Sequence, residues 1–448
     1  MATLSGGSTL STVDSILKEY YLGPVQEQLN NEVLLVQRLE ARSEDLVGKA
    51  AFVPLHYGRS GGIGSVGESA SLPTAGAQSY SRAEYDLKYL YGRVQVTGPS
   101  MAKTKSDAGS FLQILRAELD GVRNDLKKDL ARQVYGAGDA VIATATASSA
   151  STGGATTTTT FTLASWEPLK KGQIYVGMNL DAVSYSSGTP TVLNTTGSAP
   201  QLTVTAVSLV AAATSTVTVT YPSQTTTTAW ATASLVRSGS VASQNRYAQG
   251  ARSNEVDGLQ RLVTTSAPSS SSAGNSGYQT VGKIDANANQ WWDSQRTAVS
   301  GALTLQAMQT AANTIRVAGG NTSVIITSLG VLREFYRLLT ATTQFITNEG
   351  TTDFKAGFQT VSYNGIPVVG DIDAPFGNMY FLDESTLKVF SDQDWHFLDA
   401  DGLTLRQKAD YDAFEAIMVR YMNLGATRRN TNMVLSGITV NGSADAGV

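Results

Sequence analysis

The chain offers few groups at spacings that chemistry would use. Gly62-Ile63-Gly64-Ser65-Val66-Gly67 matches G-x-G-x-x-G letter for letter. A dinucleotide site needs that run between a strand and a helix, so that pyrophosphate meets the helix N-terminus. Here Glu68-Ser69-Ala70-Ser71-Leu72-Pro73 follows, with no apolar stripe of helical period. The run therefore reads as a flexible hairpin tip. The histidines are His56 and His396, and neither has an acid and a nucleophile at a recognisable spacing. Asp399-Ala400-Asp401-Gly402 shares part of a calcium loop but lacks its closing Glu, and reads as a turn. Arg428-Arg429, after Thr427, suits either the phosphates of a nucleic acid or acids across a subunit seam. No catalytic, cofactor-binding or metal-ligating residue is expected, and the chain does not read as an enzyme.

The bulk properties point the same way. At 448 residues the chain is long enough for two or three domains with real cores. Charged residues make up only 16%, so much of the surface is expected to be covered by neighbours. A net charge of −4 argues against a surface that grips nucleic acid all over, while leaving room for one basic face. The absence of cysteine removes disulfides, thiolate chemistry and Cys-based zinc sites together, and suits a reducing cytoplasm. Met1–Gly7 lacks the basic and apolar regions of a signal peptide. No apolar run approaches the roughly 20 residues of a membrane span, so no membrane partner is expected.

The elements that would position these groups change character along the chain. Residues 11–46 read as two short helices around Gly23-Pro24, the first capped by Thr12, the second carrying Val25, Leu29, Val33 and Val36. Residues 47–98 read as one long hairpin. A strand over Val47–Tyr57 precedes a Gly/Ser-rich stretch, and alternation at Tyr85, Leu87, Tyr89, Tyr91, Val94 and Val96 marks the return strand. An arm of about ten residues reaches roughly 33 Å and is marginal alone in water, so it calls for a neighbour's surface. Residues 107–135 give the clearest helix, about 28 residues and about 42 Å long. It starts at Ser106 or Asp107 and stops at Gly136. Leu112, Leu115, Leu119, Val122, Leu126, Leu130 and Val134 form its stripe. That stripe is expected to bury against strands within 383–428. Arg116, Arg123, Lys127, Lys128 and Arg132 either line the inside of a shell or are neutralised locally by Glu118, Asp120, Asp125 and Asp129.

Residues 141–247 are dominated by Thr, Ser, Ala and Val, with alternation as in Leu202–Val207, and read as an inserted all-β domain. Ser269–Ser272 reads as a mobile loop. Then α/β order returns: a helix capped by Thr304 and closed by Gly319-Gly320, a buried strand at Val324–Ile326, and a helix capped by Ser328. A hairpin follows, turning at Asn364-Gly365. Further strands are expected at Met379–Leu382, Leu387–Phe390, Phe414–Tyr421 and Met433–Ile438.

The order of these elements resembles the HK97-type major capsid protein of tailed double-stranded DNA bacteriophages. Val256-Asp257-Gly258-Leu259 looks like the family's Gly-Leu segment, and Ser323–Tyr336 is similar to its strand-then-helix unit. Gly365-Ile366-Pro367-Val368-Val369, Gly377–Leu382 with Leu387–Phe390, and Asp412–Arg429 with Met433–Ile438 resemble its later strands. The resemblance implies an α+β, HK97-like capsid fold with the all-β domain inserted. It implies an N-terminal arm over 1–46 and an extended loop over 47–98. A peripheral domain would comprise 99–140 and 383–428 with spine helix 107–135, and an axial domain 248–382 and 430–440, leaving the inserted domain over 141–247 and a tail over 441–448.

The resemblance also implies function. Copies of the chain would form hexamers and pentamers closing an icosahedral shell, the virion capsid, assembled in the host bacterial cytoplasm. Its partners would be itself, a portal protein, a possible decoration protein, and packaged double-stranded DNA through weak non-specific contact. About 46 residues precede the hairpin, which favours a separate scaffolding protein. Some family members cross-link through a loop lysine; residues 58–84 hold none, with Lys49 and Lys88 only near the base, so association is expected to be non-covalent. The competing readings are an encapsulin-like nanocompartment shell around a cargo enzyme, and a phage tail or surface-binding protein built on the Thr-rich domain.

Overall fold

A computed structural model of the chain describes residues 34–40, 43–46, 48–100, 114–153, 156–184, 191–193, 202–210, 214–222, 230, 233–237, 254–265, 280–342, 362–399, 405–408 and 411–440. The expected first helix, residues 107–113 of the long helix, Ser269–Ser272, Asp401-Gly402 and the tail from 441 lie outside the described residues.

Helix α1 (Leu34–Glu40) leads into β1 (Ser43–Asp45) and β2 (Ala50–Gly58). β3 (Ser79–Asp86), β4 (Lys88–Thr97) and the long helix α2 (Ile114–Tyr135) follow. The expected return strand of the hairpin is two strands, broken at Leu87. β3 pairs antiparallel with β2 from Asp86↔Ala50 to Ser79↔Gly58. Beyond the break the chain leaves the hairpin, and β4 joins a sheet built from the far end of the sequence. The hairpin is thus shorter than the alternation at 85–96 suggests. Period-two patterning marks strand faces but not which partner the strand bonds to.

The next segment builds a ring. Its elements are β5 (Val141–Gly153), β6 (Thr156–Leu163), α3 (Glu167–Lys170), β7 (Asn179–Ser184), β8 (Thr191–Val192), β9 (Leu202–Val210), β10 (Thr214–Pro222) and β11 (Ser234–Arg237). They bond in the order β11-β5-β6-β10-β9-β7-β8, and β11 also pairs with β7. Every strand from β11 to β7 therefore has a neighbour on both sides, and the sheet closes into a small antiparallel barrel. Alternation explains the composition. Thr157, Thr159, Phe161 and Leu163 point inward with Val217, Val219 and Tyr221, while Thr158, Thr160 and Thr162 are only half-buried. Trp230 stacks against Phe161 at 6.2 Å. The Thr159 hydroxyl and the Tyr221 hydroxyl lie 2.8 Å apart, which settles two polar groups inside.

The remaining elements form two further layers. α4 (Leu259–Leu262), β12 (Thr280–Val281), β13 (Ile284–Asp285), β14 (Gln295–Gly301), α5 (Leu305–Val317), β15 (Val324–Thr327) and α6 (Leu329–Thr342) come first. Then come β16 (Ser362–Tyr363), β17 (Ile366–Gly370), β18 (Met379–Leu382), β19 (Leu387–Phe397), β20 (Arg406–Gln407), β21 (Ala413–Ala426) and β22 (Met433–Ile438). A six-stranded sheet runs β14-β22-β18-β15-β17-β16. β15 is buried along its whole length between parallel β17 and antiparallel β18. α5 and α6 carry Met308, Ala311, Ile315, Val331 and Phe335 onto this sheet's core.

Local signals explain these ends. The Thr304 side chain accepts from Ala307 N at 3.1 Å and caps α5. Gly319, at φ +77°, closes it, with Gly320 N donating to Ile315 O. Asn364 and Gly365 both have positive φ, as a two-residue hairpin turn requires. Ser328 departs from expectation. Its backbone carbonyl accepts from Leu332 N at 3.0 Å, but its hydroxyl makes no hydrogen bond among the described residues.

The second sheet runs β1-β19-β21-β20, with β4 on the other side of β21. β21 pairs with β4 from Ala413↔Thr97 to Met422↔Lys88. Leu90, Val94 and Val96 point to the buried side of β4. Gly92 shares that side, and α2 lies over it: a Cβ there would stand 2.5 Å from Leu126 and 2.7 Å from Val122. Only a glycine lets helix and strand approach so closely. The apolar stripe of α2 therefore meets β4 at Val122 and Leu126, and only its C-terminal half joins the expected strands within 383–428. Its C-terminal half, with Leu130, Ala131, Val134 and Tyr135, enters the main core alongside Leu259, Leu424 and Val389.

Candidate assembly surfaces

The arm formed by β2 and β3 carries the largest exposed apolar side chains in one place: Phe52, Tyr57 and Tyr80 on its strands, and Ile63, Val66 and Leu72 in its tip. Leu72 is 82% and Ile63 80% exposed. Solvent does not favour such a cluster on a free monomer. The tip glycines serve close backbone crossing. A Cβ on Gly62 would lie 2.9 Å from Gly76 N, and one on Gly76 would lie 2.8 Å from Gly61 N. No helix follows Gly67, so the G-x-G-x-x-G run lacks the geometry that cradles pyrophosphate.

Both ends of the arm's strands are held by their own chain. The Tyr57 ring stacks on Trp291 at 4.5 Å, almost parallel. Glu84 N donates to Gly282 O at 3.0 Å, and Lys283 pairs with Glu84. Ala83 and Tyr85 are buried beneath the tight Gly282-Lys283 turn, where Gly282 has φ +57°. The Tyr85 hydroxyl donates to Ala426 O at 2.8 Å, and burial raises its pKa. The arm is thus held along its strands, from Asp86 to Tyr57, and exposes the apolar side chains of its tip. His56 belongs to this arm, 2.7 Å from Gln78.

A second surface is the outer face of β4 and β21. Tyr89 and Tyr91 are exposed and meet Tyr421 edge-on, at 5.2 and 6.2 Å. His396 meets the same ring at 6.5 Å. Arg93 pairs with Glu415 beside them. The two histidines therefore sit apart, one on the arm and one on this sheet; His56 bonds to Gln78 and His396 to the Asp394 carbonyl.

The basic residues named from sequence divide sharply. Lys128 Nζ donates to Asp373 Oδ2 at 2.8 Å. Arg132 pairs with Asp129 at 3.2 Å and with Glu255. Burial works against the Arg132 charge, but Glu255 and Asp129 hold its pKa above the ordinary value. Their acids come partly from far along the chain, so local helical pairing covers only part of the arrangement. Arg123 is exposed. Near this cluster Asp139, where the chain enters the barrel, has its carboxyl pushed up to about 6 by burial, with a bond from Val141 N opposing.

Arg429 corrects both sequence readings, and Arg428 has a role within the chain. Arg428 donates to Ala318 O at 2.9 Å and Gly319 O at 3.3 Å, closing the C-terminus of α5. Arg429 is 1% exposed and donates to the carbonyls of Leu262, Trp292 and Arg261. Burial lowers its pKa to about 10. Both bind backbone carbonyls of this chain, and burial puts Arg429 out of reach of DNA phosphates and of an acid across a seam. Sequence gives no signal for this, because the carbonyls belong to distant turns. Gly258 was noticed only as part of a phrase; a Cβ there would collide with Gln133 O and Gly136 O.

No protein-family model and no curated protein sequence matches the chain. Among solved structures the chain is similar to the capsid asymmetric unit of cyanophage A-1(L), at 16% identity over 96% of this chain and 100% of that one, with a TM-score of 0.58. It is also similar to the capsid of a native GTA particle, at 9% identity over 97% and 100% of the two chains and a TM-score of 0.49. A further likeness is to the holo-SrpI encapsulin complex of Synechococcus elongatus PCC 7942, at 9% identity over 98% of each chain and a TM-score of 0.45. The first likeness spans both chains nearly end to end, and this chain has the mixed α/β fold of that capsid protein.

Proposed function

We propose that the chain is a major capsid protein of the HK97 type, self-assembling into hexamers and pentamers that close an icosahedral shell around double-stranded DNA. The observation that carries this reading is the end-to-end fold likeness to the cyanophage capsid chain. The anchored arm with its exposed apolar tip supports it, because a neighbouring copy is the surface such a tip requires.

On this reading residues 1–46 are the N-terminal arm, and β2 and β3 with their tip are the extended loop. The peripheral domain comprises α2 and the sheet of β4, β19, β20 and β21, onto whose edge β1 of the N-terminal arm pairs. The barrel is an inserted domain, and the six-stranded sheet with α5 and α6 is the axial domain. A portal protein, a separate scaffolding protein and a possible decoration protein are its partners, and the virion is its location. Contact with DNA is weak and non-specific; on α2 Arg123 supplies it, since Lys128 and Arg132 are engaged within the chain.

Negative-stain microscopy of the purified protein, alone and with its scaffolding partner, tests the proposal. Closed shells of uniform diameter are expected. A chain that stays monomeric in both preparations overturns it. Particle contents then separate two shells of one fold: DNA identifies a virus, and an enclosed enzyme identifies a nanocompartment.

A further inference from the structure

The loop Asp371–Phe376, which joins β17 to β18, is bonded by α1, by α2 and by the barrel's short helix. Asp371 Oδ2 accepts from the Tyr135 hydroxyl of α2 at 2.7 Å and from Leu35 N of α1 at 3.3 Å. Its other oxygen accepts from Asp373 N at 2.9 Å. Asp373 Oδ2 accepts from Lys128 of α2. Ala374 O accepts from Lys171 at 3.2 Å, and Phe376 N donates to Glu167 Oε1 at 2.7 Å. Those last two partners belong to the barrel's short helix and the residue after it. Trp166 of the same turn meets the Phe376 ring edge-on at 6.2 Å.

Asp371, Asp373 and Ala374 are almost fully buried. The bonds at Asp371 are buried, with no water to replace a lost partner, while the Phe376–Glu167 bond at the other end is exposed; all of them position the same short segment. The Leu35 amide and the Glu167 carboxylate are thus bonded to the two ends of one six-residue segment.

We propose that Asp371–Phe376 is a mechanical joint through which a shift of the barrel is felt at α1, and a release of α1 is felt at the barrel. Coupling of this kind is reciprocal by thermodynamic necessity. It needs no wire of moving side chains, only a segment whose position both sites bias. The joint rests on intrachain contacts alone and stands or falls independently of shell assembly.

Hydrogen exchange followed by mass spectrometry on the full-length chain tests it. The double variant Glu167→Gln, Lys171→Met loosens the barrel's hold without touching Asp371. Exchange in residues 34–40 is expected to rise roughly tenfold, within the range that coupled sites show. Asp371→Asn calibrates the readout at Leu35. The reverse experiment reads residues 166–176 in Asp371→Asn, which weakens the acceptor of the Leu35 amide and should speed exchange there; Tyr135→Phe, which loosens the joint from α2, should do the same and serves if the other variants fold poorly. Faster exchange in 371–376 with none in 34–40 overturns the proposal. So does a double variant whose exchange matches wild type throughout.

Discussion

The barrel and the arm are made of similar material and solve opposite problems. Both are antiparallel and rich in Ser, to which the barrel adds Thr and the arm Gly. The barrel closes its strands on one another and buries its own core around Phe161, Trp230 and Leu235. The arm has two strands, an open edge and no core; its inward residues Ala83 and Tyr85 are buried only because the main body covers them. Closure removes edges and supplies both faces at once, while a lone hairpin borrows its stability. Difference in connectivity, not composition, separates a self-sufficient module from a dependent one.

The sharpest way to break this contrast is to remove the tip. Replacing residues 60–77 by Asn-Gly keeps the Gly58↔Ser79 pair and supplies a two-residue turn. Particle formation is expected to fall below detection by electron microscopy while the melting temperature stays unchanged. Wild-type particle yield would show that no neighbour holds the tip. Next in size is Trp230→Ala, which empties the centre of the barrel and should destabilise it by about 3–5 kcal/mol. Denaturant unfolding should then show the barrel melting ahead of the rest. A single unshifted transition would mean that the barrel has no separate stability.

The arm's borrowed anchor gives a smaller effect. Tyr57→Ala removes the stack on Trp291, with an expected loss of about 0.5–1.5 kcal/mol beyond its buried area. Exchange along β2 should accelerate while the barrel is unaffected. The smallest effect concerns Asp139, at the barrel's entrance. Its folded pKa of about 6 lies above the ordinary carboxylate value of 3.8. The folded state therefore binds the proton more tightly than the unfolded one. That contribution is fully present below about pH 4 and is lost as pH rises through about 6. Asp139→Asn should raise the melting temperature more at pH 7.5 than at pH 4.5; an equal shift at both would remove burial as the cause.

What the sequence made legible was local. Thr304, Asn364-Gly365 and the continuous apolar run Val324–Ile326 each act through neighbours a few residues away, and each sits in the structure as its type predicts. What it hid depends on distant partners. Nothing in Tyr85–Val96 says that the chain changes sheets at Leu87, because both partners lie elsewhere. Ring closure between β11 and β7 is likewise a matter of register. Arg428 and Arg429 look like a charged surface pair until the carbonyls of α5 and of the 261–292 region come to meet them. The exposed aromatics Tyr89 and Tyr91 could have been found. Strict alternation in a strand whose other face holds Leu90, Gly92 and Val94 leaves them nowhere to go but outward.

The way the chain enters and leaves the barrel has a practical side. Val141 on the first strand and Val236 on the last are direct partners in the ladder, so the two connections to the rest of the molecule stand about 5 Å apart. Any compact domain whose own ends meet at that spacing would fit the same two attachment points. A lattice of such subunits would then carry one copy of the foreign domain per position, evenly spaced, making the barrel a cassette for display.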